Sequence, residues 1–194
     1  MSISLVAGLG NPGREYEGTR HNAGFLVVEA LARDLGLAWR TSRAHEAEVA
    51  RWQPAPGRTI LFAKPLTFMN GSGQAVQALA AYHKLAVVDI AVVYDDLNLD
   101  LGLRKVSVTG SAGGHNGVAS LLEHLGQGFV RYRIGIGPKT PREMDLKDFV
   151  LARFTPEQHT LFQHHLEPAV AGLRTVIDLG ADRAMNLLNR KATQ

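Results

Sequence analysis

The hydrophobic positions along the chain fall into short compact runs separated by longer amphipathic segments. Ile3–Leu9 is an apolar run that stops at a glycine, a pattern typical of a buried β-strand. Other segments of similar length are β-branched or alternate in polarity, and they are bounded by turn residues. They predict five further strands, near Ala47–Trp52, Thr59–Ala63, Val87–Tyr94, Arg104–Thr109 and Tyr132–Ile136.

Helical periodicity fills the intervals between these strands. Asn22 is a candidate N-cap for a helix that ends at Gly36. Thr155, with a proline after it and Gln158 three residues on, has the features of a capping box at the start of a long helix. Three more helices are predicted, over Ser72–Leu85, Val118–Leu125 and Ala181–Leu188.

This alternation of strands and helices predicts an α/β protein. Hairpin-like pairs among the strands favour a mixed sheet over a purely parallel one. At about 150 residues per domain, the 194 residues correspond to one domain. We therefore expect residues 1–194 to form a single domain, in which a mixed, twisted β-sheet is flanked by helices and followed by a helical C-terminal tail.

Composition and charge narrow the possible chemistry. The chain contains 0 cysteines, so a disulfide framework, a thiolate metal site and a cysteine nucleophile are excluded. The formal net charge of +3 is small, so nucleic-acid binding depends on where the basic residues lie. No apolar run approaches the roughly 18 residues that a membrane helix needs, and no targeting segment is visible. We therefore expect a cytoplasmic protein with no membrane contact.

The first glycine-rich segment, Gly8–Gly13, formally matches the dinucleotide fingerprint G-x-G-x-x-G after a strand. Pro12 removes a backbone amide from the stretch that would cradle a pyrophosphate. The acidic residue expected about 20 positions on is Glu29, which falls inside a predicted helix. The segment is better explained as a shaped loop at the carboxyl end of a strand, where α/β proteins build their sites.

Two further segments place polar side chains near that edge. His21 follows a polar loop directly before a helix, a placement that suits a catalytic residue as well as a structural one. Thr67–Gly73 contains Asn70 and Ser72, one of which is predicted to cap the next helix. The aromatic and methionine side chains beside them fit either the core or the wall of a pocket.

Two adjacent carboxylates, Asp95 and Asp96, follow the strand predicted up to Tyr94. Successive strand side chains face opposite sides of a sheet, so one carboxylate can point inward and orient a histidine. A capped turn with two solvated charges explains the pair equally well. A magnesium site is a third alternative, which no second cluster of carboxylates supports.

The densest glycine segment, Gly110–Gly117, lets backbone amides approach a ligand closely and can cradle an anion. It lacks the lysine and the serine or threonine that end a P-loop, so it is not predicted to bind a nucleoside triphosphate. Basic residues border the later candidate loops, which favours a phosphate-rich substrate. They are Arg104, Lys105, Arg131, Arg133, Lys139, Arg142 and Lys147.

The chain has no G-x-S-x-G elbow, which disfavours a serine esterase of the α/β-hydrolase kind. The remaining candidates are histidine, aspartate and asparagine side chains on loops at one sheet edge. Such a set can activate water and polarise a carbonyl group without a nucleophilic side chain. We therefore predict no cofactor and no metal.

Several motifs, taken together, identify a family. They are GLGNPGxxY at residues 8–16, TRHNAG at 19–24, KPxTFMNxSG at 64–73 and GGHNG at 113–117. RIGIG at 133–137 and FVL at 149–151 add to the match, which spans residues 3–154. In these motifs the chain resembles the bacterial peptidyl-tRNA hydrolases.

The resemblance implies a monomeric enzyme that cleaves the ester between a peptide and the 3′-terminal ribose of tRNA. It implies that His21 is the general base acting on water, that Asp95 orients His21, and that Asn11 helps to distinguish blocked from free amino groups. The acceptor stem and the 3′ CCA end of the tRNA are the implied partners. The implied substrate site is Tyr16, Phe68, Met69, Asn70, His115 and Asn116, and the implied phosphate site is Lys105 and Arg133.

Two departures from the family pattern concern the tRNA side. A proline usually precedes the glycine after the aspartate strand, but Asn98–Gly102 contains none. Ser107 stands where a basic residue is common. A similar branch of the family serves RNA splicing, so a non-catalytic RNA-binding protein is the alternative function. Four retained residues favour the enzyme: Asn11, His21, Asp95 and Asn116.

Overall fold

The computed structural model describes residues 2–189, which contain a seven-stranded sheet. Residue 1 and residues 190–194, the ends of the predicted domain, lie outside that part. The strands are β1 Leu5–Gly8, β2 Arg40–Ser42, β3 Ala47–Ala55, β4 Arg58–Pro65, β5 Ile90–Asp100, β6 Arg104–Ser107 and β7 Val130–Gly137. Their order is β2-β3-β4-β1-β5-β7-β6. The neighbours among β4, β1, β5 and β7 are parallel and the other pairs antiparallel, which confirms the predicted mixed sheet.

Helices cover both faces of this sheet. They are α1 Ala23–Asp34, α2 Ser72–Tyr82, α3 Asn116–Leu125, α4 Leu146–Leu151, α5 Pro156–Leu179 and α6 Ala181–Leu188. α1, α5 and α6 contribute to one buried core, and α2 and α3 to a second core on the opposite face. Successive residues of β1 join the two cores in turn: Val6 faces the first, and Leu5 and Ala7 face the second. Within the described residues, no helix is both long and apolar enough to cross a membrane.

The predicted strand Val87–Tyr94 begins and ends later than expected. Val87–Asp89 forms a 3₁₀ turn, and β5 starts at Ile90. The strand then continues to Asp100, because it keeps pairing with β7 beyond the two aspartates. The aspartate pair therefore lies inside a strand, and the alternative of a capped turn is wrong.

Sequence patterns did not predict β2 or α4. β2 has 3 residues that are all exposed or half-buried, so it carries no apolar pattern. α4 follows Asp145, whose carboxylate accepts a hydrogen bond from the Lys147 backbone, and it buries Phe149 and Val150. An aspartate cap followed by apolar residues at helical spacing was the signal that could have revealed α4.

Two other capping predictions have different outcomes. Thr155 and Gln158 form the predicted capping box at the start of α5. Neither Asn70 nor Ser72 caps α2, because Gly71 occupies the N-cap position and no side chain bonds there. The prediction of a capped α2 was therefore wrong.

A glycine at the end of β1 and another in the first turn of α1 allow this helix to approach the sheet closely. A Cβ on Gly8 would lie 2.5 Å from the Val28 side chain, and a Cβ on Gly24 would collide with the carbonyl oxygen of Val93. α1 therefore crosses β1 and β5 at a distance that larger residues would not permit. The turn that precedes α1, Arg20–Asn22, is held at the sheet edge as a result.

Candidate active site

A cavity of about 730 Å³ opens at the carboxyl ends of the parallel strands. Its walls come from the loops after β1 and β4, from β5 and β7, from the glycine-rich loop before α3, and from α4. The predicted site residues that line it are Asn11, His21, Phe68, Met69, Asn70, Asp95, His115, Asn116 and Arg133. Tyr16 and Lys105 do not line it.

His21 and Asp95 form a buried pair at the base of this cavity. Nδ1 of His21 is 3.0 Å from each carboxylate oxygen of Asp95. An ionised carboxylate can only accept, so Nδ1 carries the proton and donates it to Asp95. Nε2 has no hydrogen-bond partner within residues 2–189, and the ring lines the cavity. The lone pair of Nε2 is therefore available to a water molecule.

His115 donates to the same carboxylate from the other side. Its Nε2 lies 3.1 Å from Oδ1 of Asp95, and its Nδ1 accepts from the backbone N–H of Val118 at 3.2 Å, as the cap of α3. A backbone N–H can only donate, so this bond fixes the proton of a neutral His115 on Nε2. His115 was predicted to contact substrate, and the structure adds this contact with Asp95.

The two histidines control the charge of Asp95. Burial alone would raise the pKa of this carboxyl, but His21 and His115 together lower the pKa well below its usual range. Asp95 therefore remains a carboxylate at neutral pH. Its fixed negative charge can stabilise an imidazolium on His21.

Asp96 has different partners, as strand alternation predicts. Its Oδ2 is 2.5 Å from the guanidinium of Arg133, and its Oδ1 accepts from the Asn98 backbone at 2.8 Å. Asp95 and Asp96 share no hydrogen-bond partner in the described part of the chain. Each carboxylate is occupied by its own nitrogen donors, which leaves no free pair for the magnesium alternative.

Asn11 is held by three hydrogen bonds. Its Oδ1 accepts from the Met69 backbone at 2.8 Å, which joins the loop after β1 to the loop after β4. Its backbone N–H donates to Oδ1 of Asn22 at 2.8 Å, and its backbone carbonyl accepts from Nδ2 of Asn22 at 3.0 Å. Asn22 occupies the N-cap position of α1 but makes no capping bond. The predicted cap is therefore wrong, because the side chain of Asn22 binds the Asn11 backbone instead.

Three of the predicted substrate residues that line the cavity have exposed side chains: Phe68, Asn70 and Asn116. Phe68 is 57% exposed, and its ring contacts the edge of Tyr16 with a centroid distance of 6.1 Å. Asn70 and Asn116 are exposed. Neither amide side chain has a hydrogen-bond partner among residues 2–189, so both amides can bind a ligand without first breaking a bond to the protein.

Lys105 and Arg133 are register partners on β6 and β7, so they share one face of the sheet. Lys105 is exposed and lies outside the cavity wall. Arg133 reaches the wall, but Asp96 offsets its charge. The two cations predicted to bind phosphate therefore lie side by side in different electrostatic surroundings.

Sequence reasoning did not select Arg20, which is buried next to the catalytic candidates. Its Nη1 donates to the carbonyl oxygens of Phe149 and Ala152, each at 3.2 Å, and its Nη2 donates to Gln158 at 2.6 Å. Arg20 therefore ties the turn that carries His21 to the C-terminal end of α4. Its place inside the TRHNAG motif was the signal, but burial of an arginine between helix carbonyls depends on distant residues.

His21, Asp95 and His115 also resemble a metal-ligand group, with ligand atoms within 4.8 Å of one another. A metal needs the lone pairs of the histidine nitrogens. Here Nδ1 of His21 and Nε2 of His115 carry the protons that they donate to Asp95. Moving the His115 proton to Nδ1 would break the bond with Val118. The arrangement therefore fits a hydrogen-bonded cluster better than a metal site.

Comparison with known proteins agrees with the motifs. The family model described as Peptidyl-tRNA hydrolase matches residues 5–194. The peptidyl-tRNA hydrolase of Lachnoclostridium phytofermentans is 42% identical over 188 residues, covering 96% of this chain and 97% of that protein. The peptidyl-tRNA hydrolase of Gloeobacter violaceus is 42% identical over 193 residues, covering 99% and 96%.

The fold is similar to that of another protein of this family. The crystal structure of peptidyl-tRNA hydrolase from Acinetobacter baumannii has a TM-score of 0.88 and 33% sequence identity with this chain. The likeness covers 96% of this chain and 94% of that one. Sequence and fold thus agree over nearly the whole length, and the chain belongs to the peptidyl-tRNA hydrolase family.

Proposed function

We propose that this protein hydrolyses the ester bond between a peptide and the 3′-terminal ribose of tRNA, releasing free tRNA and peptide. The observation that carries this proposal is the 3.0 Å contact between His21 Nδ1 and Asp95 in the cavity. A histidine oriented by a carboxylate is suited to act as a general base on water. Membership of the family supplies the substrate class, and the match to residues 5–194 supports a single domain over residues 1–194.

The reaction begins when Nε2 of His21 removes a proton from water and the water oxygen attacks the ester carbonyl carbon. Asp95 stabilises the imidazolium that forms. The amide groups of Asn70 and Asn116 donate hydrogen bonds to the developing oxyanion. The bond between the carbonyl carbon and the ribose oxygen then breaks, and the imidazolium returns its proton to the 3′ oxygen of the tRNA.

The remaining residues hold the two halves of the substrate. Asn11 recognises the blocked amino group of the peptide, with Met69 beside it. The exposed ring of Phe68, supported by Tyr16, offers a stacking surface for a base of the CCA end. Lys105 and Arg133 face the phosphates of the acceptor stem. The substrate arises in translation, so we place the protein in the cytoplasm, where it acts as a monomer.

A non-catalytic RNA-binding role is the weaker alternative. Binding RNA requires cations and stacking surfaces, whereas it makes no use of a buried histidine whose Nδ1 donates to a carboxylate. An Nε2 that faces the cavity without a hydrogen-bond partner suits removal of a proton from water, and binding RNA does not require it.

The test of this proposal is release of the amino acid from N-acetyl-aminoacyl-tRNA by the purified protein. The expected result is multiple turnovers of ester cleavage above the rate in buffer. Saturable binding of the tRNA without any release would overturn the proposal in favour of the RNA-binding alternative.

Chelation should leave the reaction unchanged, because the histidine nitrogens nearest Asp95 already carry protons. EDTA also removes magnesium from tRNA, so the substrate should be a short acylated CCA oligonucleotide that needs no folding. Release rates would be compared with and without EDTA. Loss of activity that zinc restores would contradict the hydrogen-bonded interpretation of the cluster.

Replacing Lys105 with alanine should raise KM for N-acetyl-aminoacyl-tRNA much more than it lowers kcat, because a phosphate contact contributes to binding. The slope of log affinity against log salt should become shallower by about one for each phosphate that the variant no longer binds. Arg40→Ala on β2, at the opposite edge of the sheet, is the matched control. An unchanged KM would mean that Lys105 is only a solvated surface charge. Arg133→Ala is less informative, because it also leaves Asp96 without its partner.

A further inference from the structure

Asn22 is a buried residue that the proposed reaction does not yet use. It follows His21 directly in the turn before α1, and its side chain faces Asn11. Oδ1 of Asn22 accepts from the Asn11 N–H at 2.8 Å, while Nδ2 donates to the Asn11 carbonyl at 3.0 Å. These two bonds resemble a strand pairing in which one partner is a side chain. They fix the backbone of Asn11 relative to the turn that carries the base.

The orientation of the Asn11 side chain follows from a third bond. The Met69 N–H donates to this side chain at 2.8 Å. A backbone N–H needs an acceptor, so the atom that faces Met69 is Oδ1 and not Nδ2. The remaining polar group, the NH2 of Asn11, has no partner among residues 2–189. Because Asn11 lines the cavity, this NH2 is offered to the ligand as a donor.

We infer that Asn22 is a positioning residue: it aims the Asn11 NH2 at the acyl carbonyl of the blocked amino group and so sets the preference for blocked over free aminoacyl-tRNA. This inference rests on the proposed function. A blocked amino group carries a carbonyl oxygen that can accept from the NH2 group. A free amino group at neutral pH carries an ammonium, which has only donors. An NH2 group held in place therefore binds the carbonyl oxygen of a blocked amino group. Facing a free amino group, the NH2 meets an ammonium, and neither group finds an acceptor in the other.

The arrangement also fixes a distance along the substrate. His21 and Asn22 are consecutive residues of one short turn. His21 acts at the ester carbonyl. Asn22 holds Asn11, which recognises the acyl carbonyl on the amino group of the same aminoacyl residue. A shift of Asn11 relative to His21 would misplace one contact whenever the other is made, so the turn couples recognition to hydrolysis.

The direct test compares two substrates, N-acetyl-aminoacyl-tRNA and the same aminoacyl-tRNA with a free amino group. Asn22→Ala should lower kcat/KM for the blocked substrate by about 10- to 100-fold. It should change kcat/KM for the free substrate much less, so the preference ratio falls. An equal loss with both substrates, or no loss with either, would overturn the inference.

Asn189 provides a matched control. It makes the same two side-chain bonds, each of 2.8 Å, to the backbone of Val106 in β6. Asn189→Ala removes identical chemistry outside the cavity wall and should leave the preference ratio unchanged. A similar fall of the ratio in Asn189→Ala would show that the ratio reports general destabilisation, and the inference would fail.

Asn11→Asp tests the inference without disturbing the turn. The three bonds of Asn11 use its backbone N–H, its backbone carbonyl and Oδ1, and aspartate keeps all of them. The NH2 donor is replaced by an oxygen of a negatively charged carboxylate, which cannot donate to the acyl carbonyl and which attracts the ammonium of the free substrate, so the preference ratio should fall as it does in Asn22→Ala. In the double variant the two effects should not add, because Asn22 acts through Asn11. Additive effects, or an unchanged ratio in Asn11→Asp, would overturn the inference.

Failure of the inference and failure of the proposed function can be told apart. If the unmodified protein releases nothing from N-acetyl-aminoacyl-tRNA, the proposed function fails and takes the inference with it. If the unmodified protein is active and the ratio does not respond to Asn22→Ala or Asn11→Asp, only the inference fails.

Discussion

Replacing His21 with glutamine should lower kcat by about 10²–10⁴-fold and change KM little. Glutamine has a similar size and an NH2 that can still donate to Asp95, so the packing around β5 is retained. Its amide lacks the basic lone pair that Nε2 of His21 offers to water. Steady-state kinetics on N-acetyl-aminoacyl-tRNA would measure both constants.

His124→Gln is the control for this variant. His124 lies on α3, where its Nδ1 contacts the Ser120 carbonyl at 2.8 Å, and it does not line the cavity. The same substitution there should leave kcat unchanged. A His21→Gln protein that retained most of its activity would contradict the assignment of His21 as the base.

The central strands could be predicted because they are buried on both faces and therefore form nearly continuous apolar runs. β1 is buried throughout, and so are the first seven residues of β5. β2 is an exposed edge strand of 3 residues and has no such pattern. The continuation of β5 to Asp100 depends on pairing with β7, which lies about thirty residues further along the chain. The residues around Asp96–Asp100 therefore do not by themselves predict that the strand continues.

The motifs predicted which loops meet but not which atoms face one another. His21 and Asp95 are 74 residues apart. Strand alternation separates the roles of Asp95 and Asp96, yet only the folded sheet shows which one meets His21. Packing on both sides of the sheet decides which side each residue of a strand faces. A single motif does not contain that information.

The error at Asn22 has a physical cause. Local preference makes asparagine before a helix an N-cap, a contribution of about 1 kcal/mol. In the folded protein Asn11 presents a buried N–H and a buried carbonyl, and leaving either without a partner costs about 1–3 kcal/mol. Binding both outweighs a single cap. Such competition is invisible until the loop and the turn are brought together.

Replacing Asp95 with asparagine should lower kcat by about 10²–10⁴-fold or more, although the side chain keeps its shape. His115 donates from Nε2, because its Nδ1 already accepts from Val118, so the asparagine oxygen turns toward His115. The new NH2 then stands where Oδ2 was, 3.0 Å from Nδ1 of His21. It can only donate, which favours the tautomer of His21 with the proton on Nε2, whereas the amide oxygen that stays 3.0 Å from Nδ1 is neutral and already accepts from His115. That tautomer has no lone pair for water.

Asp96→Asn is the matched control, since it removes the same charge one residue further along β5. Asp96 contacts Arg133 and the Asn98 backbone, and it does not contact His21. We expect changes in KM and in salt dependence, because the charge of Arg133 is no longer offset. We expect kcat to change little.

The dependence of the Asp95→Asn defect on pH tests whether the lost charge causes it. The pKa of the Asp95 carboxyl lies below its usual range, so the carboxylate keeps its charge at neutral pH and loses it only as the pH falls well into the acid range. The factor by which Asp95→Asn lowers kcat should therefore stay nearly constant across neutral pH, whereas Asp96→Asn should leave kcat little changed throughout that range. If Asp95→Asn left kcat unchanged and Asp96→Asn lowered it strongly, Asp96 would be the residue that supports the base, which would contradict the contacts in the sheet.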